Sequence, residues 1–329
     1  MVELVLPDIY KIKVPLPNNP LKAINSYVIK GQERNLVIDT GMNRVECQEA
    51  LVAGLAQINL DLGNTDFLIT HYHIDHYGLV SSLINPESKV YTSEDDGYVM
   101  NSGSGENSEE YWTELQNYAA KHGFPMELLR KAIVNHPGYL YKPERKLKIT
   151  PVMEGDIIQV GIYNFKCVIT PGHTKGHVCL YEKERKILVS GDHVLGNITP
   201  NISQYYEDED ALANYLKSLD KVADLEVDIV LPAHYDIFTN LKERARELAE
   251  HHFSRIEEVW HIVREHKSIN AFEVAAQMTW DIRGKWEDYP VQQKWFACGE
   301  AIAHLKFMLG LGRLTTNQGD KGLINWSII

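Results

Sequence analysis

The chain has 329 residues and an ordinary globular balance, 44% hydrophobic and 24% charged, with a formal net charge of −12. That length suits one large domain plus a smaller one. The acidic surplus argues against general attraction to nucleic acid or to an anionic membrane, while leaving room for a local basic groove. No uninterrupted apolar stretch reaches membrane-spanning length. Residues 1–17 include Asp8, Lys11 and Lys13 and read as neither signal peptide nor anchor. The four cysteines, Cys47, Cys167, Cys179 and Cys298, show no CxxC pairing and point to buried reduced thiols in a cytoplasmic protein.

Apolar runs predict strands at 3–6, 10–14, 26–29 and 36–38, the last closed by the turn signal Asp39-Thr40-Gly41. Residues 47–60 have helical spacing, with Ala50, Leu51, Leu55 and Ile58 on one side. A strand at 66–69 leads into Thr70-His71-Tyr72-His73-Ile74-Asp75-His76-Tyr77-Gly78, which sets His71, His73, Asp75 and His76 within six positions. On a loop leaving a strand, side chains at alternating positions can converge on one point. Imidazole together with carboxylate favours zinc, iron or manganese, and the lack of cysteine argues against a closed structural zinc site. A short helix at 79–84 and a strand at 89–91 complete an alternating order that suits layered α/β architecture.

Residues 93–146 break this rhythm. The polar segment 101–107 is expected to be flexible. Around it lie Tyr98, Tyr111, Trp112, Tyr118, Tyr139 and Tyr141, with helical patterns at 109–121 and 126–133, so the stretch reads as an inserted helical cap near the metal site. Strands return at 157–160, 165–170, 178–181, 187–190 and 229–231, with a helix at 211–223 between the last two. Three of them run directly into a possible ligand: Pro171-Gly172-His173-Thr174-Lys175-Gly176-His177, Ser190-Gly191-Asp192-His193 and Pro232-Ala233-His234. Loops leaving one sheet edge gather into a site.

Beyond residue 240 the pattern is helical, at 241–265, 271–278 and 291–311, followed by a hairpin of 313–316 and 323–328 around Gly319-Asp320-Lys321-Gly322. Three helices and a hairpin make a winged-helix pattern, which raises a nucleic-acid hypothesis. Charge weakens it: residues 246–329 hold ten Lys/Arg against eleven Asp/Glu, a net of −1, and the third helix offers only Lys294 and Lys306. Trp295, Phe296, Ile302, Leu305, Phe307 and Met308 read as packing residues. A structural or dimerising appendage fits better, so a homodimer is an expectation.

The set His-x-His-x-Asp-His, Gly-His-Thr-x-Gly-His, Ser-Gly-Asp and Pro-x-His, spread in order over residues 35–240, resembles the metallo-β-lactamase superfamily. The resemblance implies a four-layer αββα sandwich, α/β in class, with a two-metal site at the edge between the sheets. It places a catalytic domain at 1–240 and a helical, winged-helix-like domain at 241–329, similar to a subgroup containing hydroxyacylglutathione-hydrolase-like proteins and one group of RNA-cleaving enzymes. It implies that His71, His73 and His173 hold one ion and Asp75, His76 and His234 another, with Asp192 bridging. Two divalent ions, zinc foremost and iron or manganese as alternatives, would share a hydroxide that attacks a carbonyl or phosphorus. Asp75 is expected to relay a proton as well.

Some positions depart from the family pattern or lie outside its ligand set. His73 stands where the flavodiiron branch has Glu, which disfavours oxygen or nitric oxide reduction. Ala233 stands where many relatives have Gly. Asp39, His177 and His193 are expected to support ligands rather than bind metal, and Tyr77, Tyr205, Tyr206 and Tyr235 are candidate oxyanion donors. The leading expectation is hydrolysis of a small ester, thioester or lactone. The alternatives are an RNA phosphodiesterase, or an iron-dependent sulfur dioxygenase or other redox protein. A glutathione site would draw on Lys142, Arg145 and Lys146.

Overall fold

A computed structural model describes residues 2–105, 108–319 and 322–329. Glu106 and Asn107 of the polar segment, and Asp320 and Lys321 of the expected hairpin turn, lie outside the described residues. The first sheet has seven strands in sequential order: β1 (Val2–Leu6), β2 (Ile9–Pro15), β3 (Ala23–Ile29), β4 (Asn35–Ile38), β5 (Thr65–Leu68), β6 (Val90–Thr92) and β7 (Ile149–Pro151). Pairing is antiparallel from β1 to β4 and parallel from β4 to β7. The second sheet orders β12 (Ile229–Pro232), β11 (Ile187–Gly191), β10 (Val178–Glu182), β9 (Tyr163–Ile169) and β8 (Ile157–Val160), with only β11–β12 parallel.

Alternation along the strands assigns the layers, because successive side chains leave a strand on opposite faces. Tyr27, Ile29, Leu36 and Ile38 of the first sheet meet Phe165, Cys167, Leu180 and Val189 of the second in one core. Their neighbours Val28 and Val37 turn the other way, toward α1 (Val45–Gln57) and α3 (Val80–Leu83). Val168, Cys179 and Leu188 leave the far face of the second sheet and pack with α8 (Ala211–Ala223). The result is helix, sheet, sheet, helix. All four cysteines are buried and unpaired.

Between the parallel neighbours β6 and β7 come α4 (Glu94–Ser102), α5 (Glu109–Lys121), α6 (Met126–Val134) and α7 (Pro137–Leu140). The apolar pattern does not mark α4, whose start is nonetheless well specified. The Ser93 hydroxyl accepts the Asp96 N–H at 3.2 Å, and Glu94, Asp95 and Asp96 in the first turn complement the helix dipole. The helix runs to Ser102, so the start of the stretch expected to be flexible is helical. Farther on come α9 (Leu241–Arg264), β13 (Ile269–Asn270), α10 (Ala271–Gln277), α11 (Val291–Gly310), β14 (Leu314–Gln318) and β15 (Ile324–Ile328). The short β13 pairs with β15 and makes the terminal hairpin a three-stranded sheet. Residues of α5, α6, α8, α9 and α11 share one continuous core with the second sheet. Among the described residues no helix is long and apolar enough to cross a membrane.

Burial sets an acid sensitivity. His122, His136 and His304, none of them an expected metal ligand, are pushed down to about 4 because burial disfavours the imidazolium. Unfolded, each titrates near its ordinary value of about 6.5. Unfolding between those values takes up protons, so stability is lost as the pH falls through about 6.5 toward 4. Burial also raises Asp96, Glu209 and Glu300 to about 7, and these act with the opposite sign, since the folded chain holds protons that the unfolded chain releases. His76 and His234, raised by the neighbouring carboxylates, add to that opposite effect, but the lowered histidines, which also include His71, His73, His173, His177, His193 and His252, outnumber all of these. The urea midpoint of the metal-free protein is expected to be lower at pH 5 than at pH 7; an unchanged or higher midpoint would contradict this balance.

Candidate metal centre

The site forms where the carboxyl ends of β4, β5, β9, β11 and β12 meet. Backbone bonds lock their loops: Val178 N–H donates to Thr70 O at 2.8 Å across the two sheets, and Ala233 N–H donates to Gly191 O at 3.0 Å. His71 lies in the bend at 70–72 that leaves β5, and His73 is extended just beyond it. Asp75 and His76 instead occupy a helical turn, α2 (Ile74–Tyr77), where the sequence pattern predicts loop. That turn lets adjacent residues point to one centre, which an extended backbone would send to opposite sides. Gly172, at φ 143°, precedes His173 with Tyr215 pressed against it; an added Cβ would lie 2.4 Å from the Cβ of Tyr215.

All seven residues named from the sequence come together. Their ligand-type atoms form three overlapping groups, His71/His73/His173, His71/His76/Asp192 and Asp75/His76/His234, each with every atom within 4.8 Å of the others. Asp192 lies 3.6 Å from His76 Nε2, 3.6 Å from His173 Nε2 and 3.5 Å from His234 Nε2, and Asp75 lies 3.5 Å from His234 Nε2. These separations are long for hydrogen bonds. They match atoms sharing a tetrahedral ion, which stand about 3.3 Å apart when each is roughly 2 Å from the metal.

The chemistry of the donors also fits a cation. The outer nitrogens are committed: His173 Nδ1 to Asn201 O, His234 Nδ1 to Ala23 O and His76 Nδ1 to Asp39 Oδ2, each at 2.8 Å. A carbonyl can only accept, so Nδ1 of His173 and of His234 bears the proton and each Nε2 presents a lone pair inward. The Nε2 atoms of His71, His76, His173 and His234, and Oδ1 of Asp192, are buried with no hydrogen-bond partner. At about 1–3 kcal/mol each, five such atoms would cost as much as the whole stability of a typical domain, about 5–15 kcal/mol. A bound cation removes that penalty.

The charge balance agrees. Burial works against the Asp75 carboxylate, but His76 and His234 outweigh it and hold the group at about 2. Asp192 is likewise held low against burial by His234, His76 and His173. Burial pulls His76 down, while Asp39, Asp192 and Asp75 more than reverse it and raise its affinity for a proton. A cation takes the place of such protons.

Supporting residues sort themselves by their bonds. Asp39 accepts from Thr70 N–H at 2.9 Å and Thr70 Oγ1 at 2.8 Å besides holding His76. His177 is engaged at both nitrogens, with Thr170 Oγ1 at 2.8 Å and with the Asp192 N–H at 3.2 Å, so it orients the Asp192 backbone. His193 is fully buried behind the site, with neither ring nitrogen partnered. Asp96 is not recognisable in the sequence. It accepts from Tyr72 N–H at 3.0 Å, Thr174 Oγ1 at 2.6 Å and Gly176 N–H at 2.7 Å, so it joins the loops of His73 and His173. In the chain it resembles one more first-turn acid beside Glu94 and Asp95, and only the fold distinguishes it.

A cavity of about 370 Å³ opens from this centre. Its floor includes His73, Asp75, His173 and Asp192. Tyr111, Trp112 and Leu115 of the cap, Leu195 and Ile198 of the following loop, and Trp295 and Phe296 of α11 form apolar walls. The last two, packing residues by their sequence pattern, line the cavity as well. No Lys or Arg lines it among the described residues. Of the expected glutathione-binding residues, Lys142 bonds Ser108 Oγ at 2.6 Å and Arg145 bonds the Ser81 carbonyl, and none of the three reaches the cavity. Tyr77 and Tyr205 line it while Tyr206 and Tyr235 do not. The Tyr77 hydroxyl is 3.2 Å from Ser104 Oγ, and that of Tyr205 has no partner.

A layered α/β sandwich with a buried His/Asp cluster at the sheet edge defines a class of metal-dependent hydrolases. The family model described as the metallo-beta-lactamase superfamily matches residues 20–234, and the chain belongs to that superfamily. It is 25% identical to a probable metallo-hydrolase, YqjP, of Bacillus subtilis over 82% of this chain and 85% of that one. It is 28% identical to an acyl-coenzyme A thioesterase, MBLAC2, of Gallus gallus over 70% of this chain and 78% of that one. A metallo-beta-lactamase family protein from Thermus thermophilus shares the fold, with a TM-score of 0.82 at 24% identity, over 99% of this chain and 100% of that one. The chain is accordingly a metal-dependent hydrolase.

Proposed function

We propose that the chain hydrolyses a small-molecule thioester or a related ester or lactone with an uncharged, apolar acyl part. One observation carries the reading: the buried His/Asp cluster is one end of a cavity whose other walls are mostly aromatic and aliphatic, with the uncharged polar side chains of Asn19, Thr199, Asn201, Ser203 and Gln293 among them. The similarity to an acyl-coenzyme A thioesterase of Gallus gallus and to an atrochrysone carboxyl ACP thioesterase of Emericella nidulans supports it.

In this reading His71, His73 and His173 would hold one divalent ion, zinc foremost, and Asp75, His76 and His234 a second, with Asp192 shared. Such a pair supplies Lewis-acid polarisation of the carbonyl and a water made nucleophilic at neutral pH. The chain's own part is orientation and exclusion. Asp39 and the carbonyls of Asn201 and Ala23 fix the imidazoles, the ionised Asp75 carboxylate at the cavity floor takes the proton released by the attacking water and passes it to the leaving atom, and the apolar walls seat the acyl group away from water. The absence of cationic side chains from the described lining disfavours a phosphodiester backbone as substrate. A ligand set sufficient for two ions disfavours a mononuclear oxygenase.

The test is to purify the protein, count metals per chain and assay acyl-coenzyme A thioesters, lactones and a labelled RNA side by side. Turnover of apolar acyl thioesters is expected, at least about tenfold faster in kcat/KM than that of a succinyl thioester, because an unpaired buried carboxylate costs well over 1.4 kcal/mol. RNA cleavage with no thioester turnover would refute the proposal.

A further inference from the structure

The carboxyl-terminal segment reaches the centre through one short chain of bonds. Asn201 O accepts the Nδ1–H of His173 at 2.8 Å. The Asn201 side chain is held in turn by Glu300 of α11, whose Oε2 accepts its Nδ2–H at 2.8 Å. Glu300 is itself buried, and its other oxygen lies 3.9 Å from Arg255 Nε of α9. Arg255 is anchored by donating to Thr279 O at 2.7 Å and by lying over the Trp280 ring, 4.7 Å from its centroid. A second contact fixes the same loop one residue away on α11. Gln204 N–H donates to Gly299 O at 3.0 Å, and a Cβ at Gly299 would stand 2.7 Å from Ser203 Oγ and 3.0 Å from the Tyr205 ring.

We infer that α11 is a positioning element for His173, with Glu300 as the positioning residue and Gly299 the point where the loop bonded to His173 is clamped. A carboxyl group buried this deeply, with its nearest cation no closer than 3.9 Å, is costly to retain for packing alone. Its shortest side-chain contact goes to the residue whose carbonyl sets the tautomer and rotation of His173. The inference gives the carboxyl-terminal helices a role at the centre that neither a dimerising nor a nucleic-acid-binding appendage would have. It rests on the reading of His173 as a metal ligand.

The test uses the full chain, stripped of metal and titrated with zinc against a coloured chelator, with cobalt(II) spectra recorded in parallel. Glu300→Leu is expected to weaken the zinc equivalent that His173→Ala abolishes by about tenfold or more, the range for losing a bond that orients a ligand. The remaining equivalent should be unchanged, and the cobalt band should shift. Glu300→Gln, which keeps an accepting oxygen, is expected to restore both. Gly299→Ala should reproduce the effect without altering any charge, and it serves if Glu300→Leu does not fold. If His173→Ala weakens zinc while Glu300→Leu and Gly299→Ala leave it unchanged, the positioning role fails and the ligand reading stands. If all equivalents weaken alike together with a fallen Tm, the effect is structural and the inference fails. If His173→Ala changes nothing, the ligand reading fails and this inference with it.

Discussion

Replacing Asp192 with Ala is expected to strip the bound metal and abolish turnover in the same variant. Its carboxylate lies 3.5–3.6 Å from the inner nitrogens of His76, His173 and His234, so among the described residues it is the one acid placed against both ligand groups. Removing a side chain that only orients a ligand weakens metal binding about 10–100-fold, so removing the shared carboxylate should exceed about 100-fold. Asp192→Asn keeps the volume but loses the charge and should fall nearly as far. The check is metal per chain after gel filtration, together with kcat/KM on the best thioester. A variant that keeps near-wild-type metal and turnover would remove Asp192 from the centre.

Asp39 should behave differently, since its carboxylate organises the site whether or not metal is bound. It accepts two bonds from Thr70 and one from His76, and its φ is 57°, a conformation that Asp and Asn tolerate better than other side chains. Asp39→Ala orphans three buried partners and strains the backbone. The metal-free protein is expected to lose about 3–5 kcal/mol, the range for breaking a buried charged pair, plus about 1 kcal/mol from the left-handed backbone. Asp39→Asn keeps the turn and an accepting oxygen for Thr70, yet it cannot offer the carboxylate that His76 Nδ1 faces. It should be only modestly destabilised while binding zinc about 10–100-fold more weakly. Urea denaturation of the metal-free variants and chelator competition separate the two effects. A wild-type midpoint for Asp39→Ala would show that the Asp39 bonds add nothing to the fold.

The contrast between these variants shows which parts of the molecule can be read without coordinates. His71, His73, Asp75, His76, His173, Asp192 and His234 each follow within a few residues of an apolar strand. An apolar run is a local signal, and the edge where such strands end is where side chains gather, so convergence could be expected from the chain alone. The strands and longer helices were legible for the same reason, their periodicity being carried by a handful of neighbouring residues. The short α2, α4, α7, β7 and β13 leave no such signal, since so few residues hold too little periodicity and their caps and sheet partners decide them.

The layered α/β plan, and the identity of the polar residues at the ends of its strands, are written in the chain itself. What surrounds those residues is a product of the tertiary fold. Asp96 bridges two ligand loops, with bonds to residues 78 and 80 positions away, Asn201 meets Glu300 across 99 residues, and the cavity walls come from segments near 20, 72, 111, 137, 198 and 295. None of these partnerships leaves a periodic trace. Each depends on where the second sheet, the cap and α11 come to rest against one another, and that is set by the packing of whole faces rather than by any short run of residues.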